Sequence, residues 1–352
     1  MSSGPKIGNP SLLSKTKIGS IPDAFLLSVI IPVYNGEEYI KECIDSLDLG
    51  SNPDVEFVVV DDGSTDKTAE FCNAKAREYR NLKVFHKPNG GSASARNYGL
   101  VRSRGAWVWF VDSDDIVSPY AFETIRRSIA KWDVDVIYYP LCSFFDKKEL
   151  AWKDDERDGV VVGANAFLRD SYSGKYCHYN CSFVFSRDLL ERCASGMGHS
   201  LDQLYREDII LYEDALFCET FLRESQRILV SSTSIYAYRR NPKSITNKQD
   251  MVVAASGLRA VRLLSKCSIP PEAKQDHLRM EIGLLFSVYK LIGSESGARS
   301  LKKETRNEIS RRIALLGFSR LGMGLKIRYI LMITKMMDLI IKVRDCRYAI
   351  SR

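Results

Sequence analysis

The chain has 352 residues, 45% hydrophobic and 27% charged, with a net charge of +7, which is ordinary for a globular protein with one large domain and an appendage. Its nine cysteines, at 43, 72, 142, 177, 181, 193, 218, 267 and 346, are scattered and odd in number. That pattern excludes a disulfide scaffold, and the close pair Cys177 and Cys181 lacks the second pair that a zinc site requires. Residues 1–24 hold Ser, Gly, Pro and Lys without an apolar core, so they read as a flexible lead-in and not as a signal peptide. No later run has the length of a membrane span, so a reduced, cytoplasmic protein is expected.

Residues 26–33 (LLSVIIPV) form an apolar run that stops at Tyr34-Asn35-Gly36, the pattern of a buried strand. Across 37–47, Tyr39, Ile40, Cys43, Ile44 and Leu47 recur at helical spacing. A second strand is predicted over 55–60, ending at Asp61-Asp62-Gly63-Ser64-Thr65-Asp66, where Thr65 or Asp66 caps a helix reaching about residue 80. Then come a strand at 82–86, a loop Asn89-Gly90-Gly91-Ser92, a helix over 93–102 and an apolar, β-branched strand at 106–111. Another strand is expected over 134–139. Strands alternating with helices predict an α/β fold with a mostly parallel sheet, whose ligands bind at the carboxyl ends of the strands.

Those ends carry the chemistry. The pair Asp61-Asp62 follows the second strand, and Asp112, Asp114 and Asp115 crowd the end of the 106–111 strand. Carboxylates this close repel unless neutralised, and a hard cation such as Mg²⁺ or Mn²⁺ is one neutraliser. An acidic turn leading into the helix that starts near Ser118-Pro119 is the plainer reading. No G-x-G-x-x-G follows the first strand and no G-x-x-x-x-G-K-[ST] occurs, which speaks against a dinucleotide dehydrogenase or P-loop ATPase.

Four strings in order, SVIIPVYNGEEYIKECIDSL, VVVDDGSTD, NGGSASARNYGL and WFVDSDDIVSP, resemble the nucleotide-sugar domain of inverting family 2 glycosyltransferases of the GT-A fold. The resemblance is close over residues 26–140 and thinner to 247. It implies a GT-A domain, a Rossmann-like, mostly parallel nucleotide-binding sheet, with a donor half at 25–140, an acceptor half at 141–248 and a helical extension over 249–352. In such enzymes Pro32 and Tyr34 would pack around the nucleotide base, and Asp62 would accept the base's N–H. Asp61 is equally well explained as a turn residue bonding its own backbone. Asp112 and Asp114 match the family's D-x-D element, which implies Asp114, with Asp112, on a Mn²⁺ or Mg²⁺ ion that bridges the diphosphate. Asp115 is left as a helix-capping or supporting group. Asn89 and Arg96 fall where the family holds the donor's diphosphate and sugar, although Arg96 could instead pair with a clustered aspartate.

In the second half, His178 among aromatics reads as structural. LYEDALFCETFL, residues 211–222, resembles the family's E-D motif and maps the catalytic base to Asp214, with Glu213 orienting it. The plain alternative is two acids complementing a helix dipole, and Glu207-Asp208 is a decoy pair. SIYAYRRNPKSITN, residues 234–247, resembles the segment closing the catalytic domain, so that Arg239, Arg240 and Lys243 would fold over the diphosphate. The implied enzyme is a bacterial polysaccharide- or lipopolysaccharide-type transferase. It would move a hexosyl or N-acetylhexosaminyl group, with UDP-sugar as the expected donor and a glycan or lipid-linked glycan as acceptor. Its rivals are a nucleotide- or anionic-polymer-binding module and a sugar-nucleotide pyrophosphorylase. PVYNGEEY lacks the basic Gly-rich loop of the latter, and an aliphatic tail argues against nucleic acid.

Residues 318–352 hold eight Lys or Arg against two Asp, a surplus of six. Arg328, Lys335, Asp338, Lys342 and Asp345 make a polar stripe at helical spacing among aliphatic residues. Such a helix suits an anionic membrane surface, which would place the protein on the inner face of the cell membrane. Packing on its own domain or on a second subunit, as a homo-oligomer, is the alternative.

Overall fold

A computed structural model describes residues 25–150, 152, 159–241, 244, 249–292, 298–334 and 337. Four parallel strands come first: β1 (Leu27–Val33), β2 (Val55–Asp61), β3 (Leu82–His86) and β4 (Trp107–Phe110). The helices between them are α1 (Ile40–Ser46), α2 (Thr68–Glu78) and α3 (Gly91–Arg102). A short β5 (Ile116–Val117), α4 (Ala121–Lys131), β6 (Val136–Tyr138), β7 (Leu141–Phe144), β8 (Val160–Val162) and α5 (Ala164–Tyr172) follow. The second half continues with β9 (Phe183–Ser186), α6 (Arg187–Gly196), α7 (Glu213–Glu224), β10 (Ile228–Val230) and β11 (Tyr236–Arg239). Last come α8 (Met251–Leu264), α9 (Lys274–Leu291), α10 (Ala298–Leu316) and α11 (Met323–Ile333).

The main sheet has the order β3-β2-β1-β4-β9-β6-β10-β8. It is mostly parallel, as expected, but β9 inserts antiparallel between β4 and β6, and β8 closes the far edge antiparallel. A second sheet, β5-β11-β7, stands beside the carboxyl end of β4.

Both faces of the main sheet are covered, which is why its strands read as unbroken apolar runs. Val29, Ile31, Phe57, Val59 and Trp109 face α1 and α4, whereas Ile30, Val58, Val60, Val108 and Phe110 face α3, α5, α6 and α7. Helix α3 lies so near β1 that a Cβ on Gly99 would stand 2.6 Å from Ile30 Cγ2. Helices α8–α10 form a third core around Val261, Leu285, Phe286 and Ile309, and α11 adds Met332 to it. The opposite side of α11 leaves Met323, Ile327, Ile330 and Ile333 exposed. Arg328 of the expected polar stripe is exposed, and Lys335, Asp338, Lys342 and Asp345 lie outside the described residues. Among the described residues no helix is long and apolar enough to cross a membrane.

One buried charge anchors the sheet's amino-terminal edge. Glu56, 2% exposed, accepts from Ser28 Oγ at 2.6 Å, from Gly105 N–H at 3.0 Å and from Arg104 N–H, so the turn before β4 is tied to β1 and β2. Glu56→Ala strands these donors and is expected to cost about 3 kcal/mol. Urea unfolding should show a lower midpoint at unchanged m value, and an unchanged midpoint would refute this role.

Candidate active site

The carboxyl end of β4 runs into a turn closed by the Asp115 N–H on the Asp112 carbonyl, 3.1 Å. Asp115 is fully buried and satisfied, since its carboxylate accepts from Tyr236 Oη at 2.5 Å and from the Arg239 N–H at 2.7 Å. The same Tyr236 hydroxyl accepts from the Asp112 N–H at 3.1 Å. Strand β11 is thereby clamped to the aspartate turn, and Asp115 is a supporting group, not a helix cap.

Asp114 has a different environment. Arg239 Nε donates to its carbonyl at 2.7 Å, and its carboxylate accepts from Asn241 Nδ2 at 3.4 Å. Burial and the neighbouring Asp112 charge push this carboxyl above the usual range. A carboxylate in that position favours a cation, and its hard oxygen suits Mg²⁺ or Mn²⁺. Among the described residues no three His, Cys, Asp or Glu side chains converge to hold a metal. A cation held by Asp112 and Asp114 would therefore complete its shell from water or from ligand oxygens.

Arg96, projecting from α3, is 7% exposed and joins the two halves of the site. Its Nη2 donates to Asp112 Oδ1 at 2.8 Å and its Nη1 to Glu213 Oε1 at 3.0 Å, while the guanidinium lies 5.5 Å from the Tyr205 ring centre. The pairing of Arg96 with a clustered aspartate is thus realised, and its link to Glu213 was not foreseen.

Glu213 and Asp214 open α7, where the helix dipole favours acids. Burial and the Glu213 charge push the Asp214 carboxyl up to about 7, with Arg96 opposing them. An acid poised there can take up or release a proton near neutrality. Glu207 accepts from Asn97 Nδ2 and Asp208 pairs with Arg206 at the surface, so that acidic pair stands apart from the site. His178 is half-buried beside Tyr172 and Ser171, and desolvation lowers its pKa, in keeping with a structural role.

At the end of β2, Asp61 accepts from the Ser64 N–H at 3.0 Å and faces His86 Nδ1 at 2.8 Å, the turn role. Asp62 accepts from the Gly90 and Gly91 N–H groups and, at 2.6 Å, from Lys87 Nζ. It therefore holds the amino terminus of α3 and the loop bearing exposed Asn89. Gly63 is needed where these loops meet, with φ +80° and room for no side chain, since a Cβ would stand 2.9 Å from the Asn89 nitrogen. Pro32 is buried near the end of β1, and Tyr34 just beyond it is 52% exposed. Arg239 packs over the Tyr39 and Phe144 rings and pairs with Glu42, bracing the turn. Arg240 Nε donates to Ser143 Oγ, and Lys243 lies outside the described residues. Lys87 and Asn241 carry no sequence signal of their own. Tyr236 and Tyr238 could have been paired from the period of two along YAYRR.

An open, mostly parallel sheet with acidic turns at the ends of β2 and β4 and a second small sheet beside β4 has the architecture of the GT-A fold. Residues 28–193 match the family described as Glycosyl transferase family 2. It is 31% identical over 227 residues to EpsJ of Bacillus subtilis (strain 168), a glycosyltransferase described as uncharacterized. That match spans 63% of this chain and 63% of EpsJ, so the chain covers under two thirds of that relative. It is 28% identical over 254 residues to the minor teichoic acid biosynthesis protein GgaA of the same organism, over 69% of this chain and 53% of GgaA. The fold is similar to that of S. aureus TarS solved in complex with UDP-GlcNAc, with TM-score 0.63, 20% identity, and 92% of this chain and 91% of that one covered.

Replacing Arg96 leaves two carboxylates facing each other with no cation between them. Arg96→Met is expected to lose about 3 kcal/mol at neutral pH, with Arg96→Lys intermediate because it keeps the charge but not the fork. Chemical denaturation of the three proteins checks the order, and equal stability of all three would refute the bridge.

Proposed function

We propose that the chain is an inverting, metal-dependent glycosyltransferase. It moves a sugar from a nucleoside diphosphate, with UDP-sugars as the first donors to test, to a hydroxyl of a glycan or lipid-linked acceptor in cell-surface polysaccharide synthesis. The observation that carries the reading is the Asp112–Arg96–Glu213 bridge, which holds Asp214 across from the aspartate turn, with the Asp214 carboxyl near 7. EpsJ's name supports the reaction class, GgaA's a cell-surface polymer as acceptor, and the UDP-GlcNAc held by TarS a UDP-sugar donor.

In this reading Pro32 and Tyr34 border the nucleotide base, Asp62 shares a lone pair with its imide N–H, and Asn89 and Arg96 lie beside the diphosphate. Asp112 and Asp114 would hold the Mn²⁺ or Mg²⁺, which when bound lowers the basicity of the leaving diphosphate. Arg239 keeps Asp114 in place from behind. Asp214 accepts the proton of the acceptor hydroxyl as that oxygen bonds to the anomeric carbon. The bond from that carbon to the diphosphate breaks on the opposite face, which inverts the configuration.

Calorimetry with UDP-GlcNAc should show binding with Mn²⁺ that chelator abolishes and that Asp114→Ala weakens at least about tenfold, a loss of about 1.4 kcal/mol. Equal binding with and without metal would refute the metal role. The group that must be charged is a carboxylate whose proton is held up to about 7, so kcat/KM should rise with pH through that value and level off above it. A flat profile from pH 5 to 9 would count against Asp214 as base.

The exposed Met323, Ile327, Ile330 and Ile333, with Arg320, Lys326 and Arg328 nearby, suit the surface of an anionic bilayer on the cytoplasmic side. Cosedimentation with phosphatidylglycerol vesicles at low salt should fall in Ile327→Asp/Ile330→Asp, whereas equal pelleting would exclude this face. Loss of a dimer in that variant would instead favour a homo-oligomer contact.

A further inference from the structure

We infer that Tyr179 and Tyr238 form a stacking platform for a sugar ring of the acceptor, a ligand site that the donor and base assignments leave open. The inference rests on the transferase reading and names where its second substrate lies.

The two rings are parallel to within 6°, with centres 6.2 Å apart. They come from opposite sides of the site. Tyr238 lies on β11, on the same face as Tyr236, whose hydroxyl is fixed between Asp112 and Asp115. Tyr179 precedes the short helical turn Asn180–Ser182 that leads into β9, beside α7. Electrostatics place the pair in the same way. Beyond burial, the Tyr238 hydroxyl is held up by Asp115, Asp114 and Asp112, and that of Tyr179 chiefly by Asp214. The platform therefore reaches from the aspartate turn to the base, on the side where an acceptor hydroxyl has to arrive.

Tyr179 is also held by its neighbours' backbone while the residue is 52% exposed. Its carbonyl accepts from the Ser182 N–H at 3.0 Å, the Asn180 amide donates to Tyr205 Oη at 2.9 Å, and the Cys181 carbonyl accepts from Trp109 Nε1 at 2.8 Å. A fixed, exposed aromatic loses little conformational entropy when a ligand covers it. The ring face is electronegative, and the axial C–H bonds of a pyranose present a matching positive, apolar face. A sugar stacked there keeps its hydroxyls at its rim, one of them toward Asp214. Nucleotide stacking falls instead to the ends of β1 and β2, on the far side of β4.

The test uses the full-length protein with UDP and Mn²⁺ present, and the methyl β-glycosides of glucose, galactose and N-acetylglucosamine as probes, read by saturation-transfer NMR. Tyr179→Ala and Tyr238→Ala should each weaken glycoside binding about tenfold, and Tyr179→Phe less than about threefold, because the ring and not the hydroxyl makes the contact. UDP affinity should change less than about twofold in all three variants, which also shows that they are folded. Glycoside binding by Tyr179→Ala equal to wild type would overturn the platform. So would equal loss in Tyr179→Phe and Tyr179→Ala, or no saturation transfer to any glycoside in the wild type. If the wild type binds glycosides through Tyr179 but never binds UDP, the platform stands and the transferase reading fails.

Discussion

The site depends on one buried cation. Arg96 stands between Asp112, at the end of β4, and Glu213, at the start of α7, and these carboxylates belong to segments a hundred residues apart in sequence. Burying a guanidinium is costly unless every charge around it is matched, so the bridge contributes little net stability and a great deal of positional definition. It sets how far the α7 acids stand from the aspartate turn. It also decides electrostatic roles. Glu213 and Asp112 share the arginine, whereas burial and the Glu213 charge keep the proton of Asp214, next in sequence, up to about 7. Neighbouring carboxylates with different environments can do different work.

The aspartate turn shows the same division. Asp115 is spent on holding Tyr236 and the Arg239 backbone and Asp112 on Arg96, whereas the Asp114 carboxylate accepts from Asn241 and is pushed up by burial and the Asp112 charge. Strand β11 is the support for this arrangement, because it carries Tyr236, Tyr238 and Arg239 in succession along one edge of the turn. The Asp214 carboxyl binds its proton more tightly folded than unfolded, so its contribution to stability falls as pH rises from its ordinary range to about 7.

Much of this was legible before any coordinates. Strands buried on both faces announce themselves as apolar runs, so β1 to β4 and the acidic turns after β2 and β4 could be placed from local pattern. The E-D pair heading α7 was legible for the same reason. Three features were not, and each depends on contacts distant in sequence. The antiparallel insertion of β9 is decided by what β4 and β6 leave unpaired, which no periodicity within YCHYNCSFVFS encodes. The use of Asp62 to hold the Gly90-Gly91 turn depends on how α3 approaches β2. The tail was read as one amphipathic stripe, yet α11 divides its apolar residues, placing Met332 in the helical core and Ile327 and Ile330 in solvent.

The central claim is that Asp214 is the base and takes no part in holding the donor. The most direct test is UDP release from UDP-GlcNAc with Mn²⁺ and a glycoside acceptor, measured for the wild type and for Asp214→Asn alongside their donor affinities. The account predicts donor binding unchanged within about twofold and release slowed by about 10²- to 10⁴-fold. Release by Asp214→Asn at the wild-type rate, or loss of donor binding in step with turnover, would contradict it.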